Sequence, residues 1–264
     1  MKSFYRRFLR FIPCRYQPYS HLFIENGEIE SRIHIHNFLS IIWPEGQPSA
    51  MFVLTLKDTY GRELAQELVV VRPFNVFSDS IRNVFSNIDN FPSYGTLTVR
   101  LKADQRVRKY ARSCSQGLVY FPSPFWMQYS STSGSQAYVH SVGSEHTNPS
   151  RFDLLLNKLT NEKHVGPVWE SGRVFEMHPK DSIDIYVLNQ SSKRLSQNLK
   201  ILNTDDVLVF SGTEFVDAGG VRCFSFFFDM PESIYLRIEN LSNSNSKPYI
   251  LIRSNNDKFA LTHG

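Results

Sequence analysis

The 264-residue chain is 41% hydrophobic, 14% aromatic and 20% charged, with a formal charge of +4. That composition excludes a disordered chain, and with no run of about 18 apolar residues the sequence offers no membrane-spanning helix. The length suits one large domain or two of roughly 130 residues, each able to bury a core.

The charge is concentrated at the start. Residues 1–16 carry Lys2, Arg6, Arg7, Arg10 and Arg15 and no acid, which leaves the rest of the chain close to neutral. A basic arm on a neutral body speaks against a nucleic-acid partner, whose binders carry charge on a folded face. On a helix, Phe4, Phe8, Phe11 and Ile12 would share one side, with Arg6, Arg7 and Arg10 towards the other. Such a pattern can rest on a membrane surface, but one or two turns hold a membrane weakly, so an arm packed on the body is expected. It is not a signal peptide, because charge runs through its apolar part and no small-residue cleavage site follows.

From Ile29 the chain reads as short strands. Ile29–His36 alternates apolar with polar residues. Met51–Leu56, a Tyr60-Gly61 turn, Glu67–Val71 and Thr96–Leu101 follow. Ser182–Val187, Val207–Phe210, Val221–Phe228, Ile234–Ile238 and Tyr249–Ile252 complete the set, with Gly219-Gly220 expected as a hairpin turn. Runs of β-branched and aromatic residues punctuated by Gly, Asn, Pro and Asp predict sandwiches. The one helical stretch is Ser150–Leu159, capped by Asn148 or Ser150 with Pro149 in its first turn.

Two parts of the chain match each other. LTVRL (97–101), a polar turn and PFWMQYSSTSGSQAYVHS (124–141) parallel IYLRI (234–238), a polar turn and KPYILIRSNNDKFALTHG (247–264). Both end in Ala-x-x-His, at His140 and His263. Upstream, IHIHN (33–37) and IYVLN (185–189) each close a strand on Asn. This internal repeat predicts two tandem antiparallel β-sandwich domains, 17–141 and 167–264, joined by a helix-bearing linker at 142–166. Residues 1–16 form the arm.

Ile33–His140 also resembles the small β-sandwich of soluble sensory rhodopsin transducers, most closely at QYSSTSGSQA (Gln128–Ala137). The second half resembles it more faintly. The resemblance implies an oligomeric, ligand-binding or signalling sandwich without catalysis, and carries over no binding residue.

Cys14, Cys114 and Cys223 are odd in number and widely spaced. They form neither a zinc motif nor a disulfide framework, and fit reduced thiols in a cytoplasmic protein. His34 and His36 lie two apart on a strand and so face one way. With His140 and His146, and Glu145 nearby, they could hold a divalent metal. The plainer reading is two imidazoles on the polar face of an ordinary strand. There is no GxSxG elbow and no phosphate loop. The basic stretch Arg100–Arg112 reads as a solvated loop, and Asp205-Asp206 as a solvated turn. Tyr120, Phe121, Phe125, Trp126 and Tyr129 crowd ten residues, either as a strip that stacks on sugar rings or as core. The Phe226–Phe228 run is expected in the core.

The sequence therefore predicts a non-catalytic binding or assembly module for a carbohydrate or small polar ligand. Phe125, Trp126, Tyr129, Ser133 and His140 are the expected ligand contacts, beside a loop running to His146. The alternatives are a metal-dependent enzyme using His34, His36, His140 and His146, and an oligomeric structural or signalling protein. A homo-oligomer is expected.

Overall fold

The structure, a computed structural model, describes residues 19–42, 44–46, 48–102, 125–140, 173–190, 193–229, 231–240, 248–254 and 258–263. The N-terminal arm, Cys14, Cys114, Tyr120, Phe121, most of the basic stretch after Arg100, and the linker with its predicted helix, Glu145 and His146 lie outside the described residues.

The chain is all-β. The first half contributes β1 (Tyr19–Ile24), β2 (Ile29–His36), β3 (Ala50–Lys57), β4 (Glu63–Val71), β5 (Val76–Ser80), β6 (Tyr94–Leu101), β7 (Phe125–Ser131) and β8 (Gln136–His140). Two single-turn helices interrupt it, α1 (Leu39–Ile42) and α2 (Ile81–Val84). The strands form two antiparallel sheets, β1-β6-β3-β4 and β5-β2-β7-β8. The second half contributes β9 (Arg173–Met177), β10 (Ser182–Leu188), β11 (Leu195–Asn203), β12 (Leu208–Val216), β13 (Val221–Phe227), β14 (Ile234–Asn240), β15 (Tyr249–Arg253) and β16 (Phe259–His263). Its sheets run β9-β14-β11-β12 and β13-β10-β15-β16, the same orders with each strand number raised by eight.

Alternation builds these sheets. On β2, Ile29, Ser31, Ile33 and Ile35 are buried while Glu30, Arg32, His34 and His36 face outward. Phe52, Leu54 and Leu56 of β3 and Leu97 and Val99 of β6 meet them across the sandwich. Each such side chain withdrawn from water contributes about 1.5–3 kcal/mol.

The same Asn device closes β2 and β10. Asn37 is buried, and its amide donates to the carbonyls of Pro48 (2.7 Å), Val71 and Arg72 (both 3.1 Å). Asn189 is buried too and donates to Lys193 (2.7 Å) and Val216 (2.9 Å). Val71 and Val216 end the corresponding strands β4 and β12, so each Asn ties a loop to the opposite sheet.

The two sandwiches pack through one sheet of the second. Strand β10 is buried on both faces: Ile183, Ile185 and Val187 point into its own core. Tyr186 and Leu188 instead join the core of the first sandwich, with Val221, Tyr249, Leu251 and Leu261 from the neighbouring strands. Tyr94 meets Tyr186 edge-on at 5.4 Å, and the His21 and Tyr249 rings lie 4.9 Å apart. Polar links surround this contact. Val221 N–H donates to Thr59 O at 2.9 Å, the Thr96 hydroxyl donates to Gly219 O at 2.8 Å, and Arg222 lies over Tyr60.

Two expectations are corrected. Gly219-Gly220 is not a hairpin turn: β12 and β13 belong to different sheets, and this segment crosses between them. Nor is the Phe run uniformly core. Alternation buries Phe224 and Phe228 and leaves Phe227 66% exposed.

Candidate functional site

In the second sandwich, the outer face of β13-β10-β15-β16 packs on the first through Tyr186, Leu188, Tyr249, Leu251 and Leu261, while Ser225 and Phe227 at its far side stay exposed. Among the described residues no other sheet packs on the corresponding outer face of the first, β5-β2-β7-β8, and its residues differ in kind. The register fixes three rows across it. Ser78, His34, Trp126 and His140 form one row. Ser80, Arg32, Gln128 and Tyr138 form the next, and Glu30, Ser130 and Gln136 the third. In the second sandwich, register places Cys223, Tyr186 and Tyr249 in line with the first row. Ser225, Asp184, Leu251 and Leu261 align with the second.

The open face is a polar and aromatic platform. Trp126 is 48% exposed and Tyr138 is 59% exposed. The Trp126 and His140 rings meet edge-on at 6.1 Å, and the His34 and Tyr138 rings lie tilted at 6.3 Å. His34 Nε2 lies 2.9 Å from Gln128 Oε1, and Gln128 Nε2 donates to Ser130 Oγ at 3.1 Å. Because the amide oxygen only accepts, Nε2 of His34 carries the proton. This chain of bonds holds three side chains in fixed positions before any ligand arrives. His36 sits at the platform's end opposite Val76 and near Phe38, and its burial lowers its pKa below the usual histidine value.

Of the expected ligand contacts, Trp126 and His140 stand on this platform. Phe125 and Tyr129 do not: both are fully buried, because a strand with Trp126 outward must turn its neighbours in alternate register inward. Tyr129 is a polar anchor of the core instead. Its hydroxyl donates to Leu22 O at 2.7 Å and lies 3.1 Å from His21 Nδ1, which itself reaches the same carbonyl at 3.0 Å. Burial holds the Tyr129 phenol well above the usual tyrosine pKa. Ser133 is exposed in the Gly134 turn, its hydroxyl 2.7 Å from that of Ser131. It lies beyond Gln136, which is four strand residues or about 13 Å from His140, so Ser133 does not share a slot with Trp126 and His140.

Of the histidines expected to share a metal, the three described ones are spread along and across the sheet, and His146 lies outside the described residues. His34 and His36 are about 7 Å apart on β2, and His140 stands two strands away with Trp126 between. Among the described residues no group of three His, Cys, Asp or Glu is placed to hold a metal ion. Cys223 is half-buried, with burial foremost in pushing its thiol up to about 11, an unreactive setting. Sequence reasoning passed over Arg32, Gln128 and Tyr138. The signal for them was the alternation of β2, β7 and β8, which places them beside His34, Trp126 and His140 once the strands are paired.

No family model matches the chain, and no curated protein matches it. Among solved structures, the chain aligns with a calcium-binding mutant of Bacteroides uniformis beta-glucuronidase 2 at 12% identity, over 94% of this chain and 26% of that one, with a TM-score of 0.19. It aligns with a Bacteroides uniformis beta-glucuronidase at 11% identity over 96% and 27%, TM-score 0.18. A beta-glucuronidase from glycoside hydrolase family 2 gives 10% identity over 94% and 24%, TM-score 0.19. The chain thus spans about a quarter of the length of each, and likeness at these scores supports no argument about activity.

Proposed function

We propose that the protein is a non-catalytic β-sandwich binding module whose ligand, a carbohydrate or similar small polar molecule with one apolar face, lies on the outer face of β5-β2-β7-β8. The observation that supports this most is the exposed Trp126 indole among His34, Tyr138 and His140, on a face that no other sheet covers among the described residues. A pyranose has an apolar face that stacks on an indole, while its hydroxyls need fixed donors and acceptors at the edge. Gln128, Ser130 and His34 supply these in a held arrangement. Covering roughly 80 Å² of the indole is worth about 2 kcal/mol, or about thirtyfold in affinity.

Under the same reading the sandwiches are copies of one unit, divided at 17–141 and 167–264. The matching strand orders and the paired Asn37 and Asn189 support it.

Trp126→Ala tests the binding reading. The variant should keep its melting midpoint and lose glycan binding measured by array and titration. Undiminished glycan affinity in that variant overturns it.

A further inference from the structure

The four described arginines that the fold half-buries are not equally served. Arg237 pairs with Asp206 and Glu239 at 2.8 and 2.9 Å. Arg253 pairs with Asp184 and Glu28, and Arg222 covers the Tyr60 ring. Arg32 is half-buried as well, yet it has no ion pair, hydrogen bond or ring contact among the described residues. Its position is the centre of the platform. Register places it between Ser80 and Gln128, in the row next to His34 and Trp126. Glu30 faces the same way on β2 but lies one row further, towards the Gly134 turn, and does not reach it.

A guanidinium offers five donors in a planar fork, and that fork matches a carboxylate. None of its nitrogens is fully buried, so the half-burial falls on the aliphatic stem, and the fork stays open to an incoming anion with no acid among the described residues paired to it. Adjacent rows are about 7 Å apart, a span that the arginine side chain covers. From a sugar ring seated on Trp126, an exocyclic carboxylate would lie within reach of Arg32.

We infer that the platform is selective for acidic sugars, with Arg32 taking the carboxylate and Trp126 the ring. This rests on the binding reading above and names the ligand class of that same face. Glu30 sets the orientation, because it repels a carboxylate at the turn end and favours it at the His34 end.

The test uses the full chain and matched oligosaccharides whose terminal hexose and corresponding uronate differ only at C6, across gluco, galacto and manno series, with sialylated and 6-sulfated members. The acidic member of a bound pair should bind about tenfold tighter at 50 mM salt, and the gap should narrow at 0.5 M salt. Arg32→Gln should erase the gap without moving the melting midpoint by more than about 2 °C. Arg32→Lys should restore part of it. Equal affinity within every bound pair, or a gap that survives Arg32→Gln, overturns the acidic-sugar inference and leaves the binding reading standing. Preference for sulfate over carboxylate overturns the carboxylate assignment. Absence of any binding that depends on Trp126 overturns both.

Discussion

Gly61→Ala tests how the two sandwiches are joined. Gly61 has φ of 78°, and a Cβ there would overlap the Ala218 carbonyl oxygen and sit 2.8 Å from Gly219 C and Gly220 N. Neither side can yield cheaply. Asp58 Oδ1 accepts from Tyr60 N and Arg62 N, both at 2.9 Å, and so fixes the Thr59–Gly61 turn. The facing segment is pinned to Asn189 through Gly219 N at 2.8 Å and Gly220 O at 2.9 Å. A left-handed alanine costs about 1–2 kcal/mol. Retreat of the turn would also break the bond from Val221 N to Thr59 O and open the apolar seam, adding about 2 kcal/mol or more. Gly27 isolates the first part, since its φ is 87° and a Cβ there meets nothing within 4 Å. Urea denaturation should therefore show Gly61→Ala losing about 3–4 kcal/mol and Gly27→Ala about 1–2. Equal losses for the two would refute the view that this turn is a seat for the second sandwich.

The remaining predictions concern charge and loop anchoring. Glu25 is buried between β1 and β2, and burial pushes its carboxyl up to about 6 despite the bond from Ser31 N at 2.9 Å and the nearby Arg82. A carboxyl pKa raised on folding means that the native state binds the extra proton, so stability falls as pH rises from about 4.5 to 6. Glu25→Gln should be more stable than the parent by up to about 2 kcal/mol at pH 7.5 and equal to it near pH 4.5, read from melts across that range. A constant difference at all pH values would contradict the assignment. Asn37→Ala and Asn189→Ala should each lose about 2–3 kcal/mol by calorimetry, because each strands at least two carbonyls at a sheet-to-sheet loop. A loss under about 1 kcal/mol at either position would show that its loop finds another donor.

The turn that seats the second sandwich has a counterpart that, among the described residues, seats no other sheet. Asn203 Oδ1 accepts from Asp205 N and Val207 N, as Asp58 does in the first sandwich, and Asp206 holds the left-handed position at φ of 59°. Its carboxylate meets Arg237 at 2.8 Å. Where Gly61 lets a neighbouring backbone approach, Asp206 carries a side chain, so the same docking cannot be repeated at that end.

Several elements were legible in the residues because their cause is local. The alternation of Ile29–His36, Thr96–Leu101 and Ser182–Val187 is the signature of a pleated strand, and each segment lies in one. Strands β1, β5, β9 and β11 are among those passed over. Strand β1 is buried almost throughout, so its sequence does not alternate, and β11 mixes Gln, Asn and Lys among few β-branched residues. The aromatic crowding at 120–129 marked the right strand but not the right residues. Composition cannot say which of Phe125, Trp126 and Tyr129 turns outward, and the fixed phase of β7 selects Trp126 alone.

The sequence by itself determined an all-β chain in two tandem sandwiches, since strand formation follows from side-chain period and turn residues over a few positions. Only the tertiary structure decided that one sheet face of the second sandwich packs on the first while, among the described residues, no sheet packs on its counterpart. It also decided that His34, Trp126, Gln128, Tyr138 and Arg32 share that open face. The physical reason is strand pairing: residues about 100 positions apart become neighbours through backbone hydrogen bonds that any side chain permits, so their meeting leaves no mark on the local pattern.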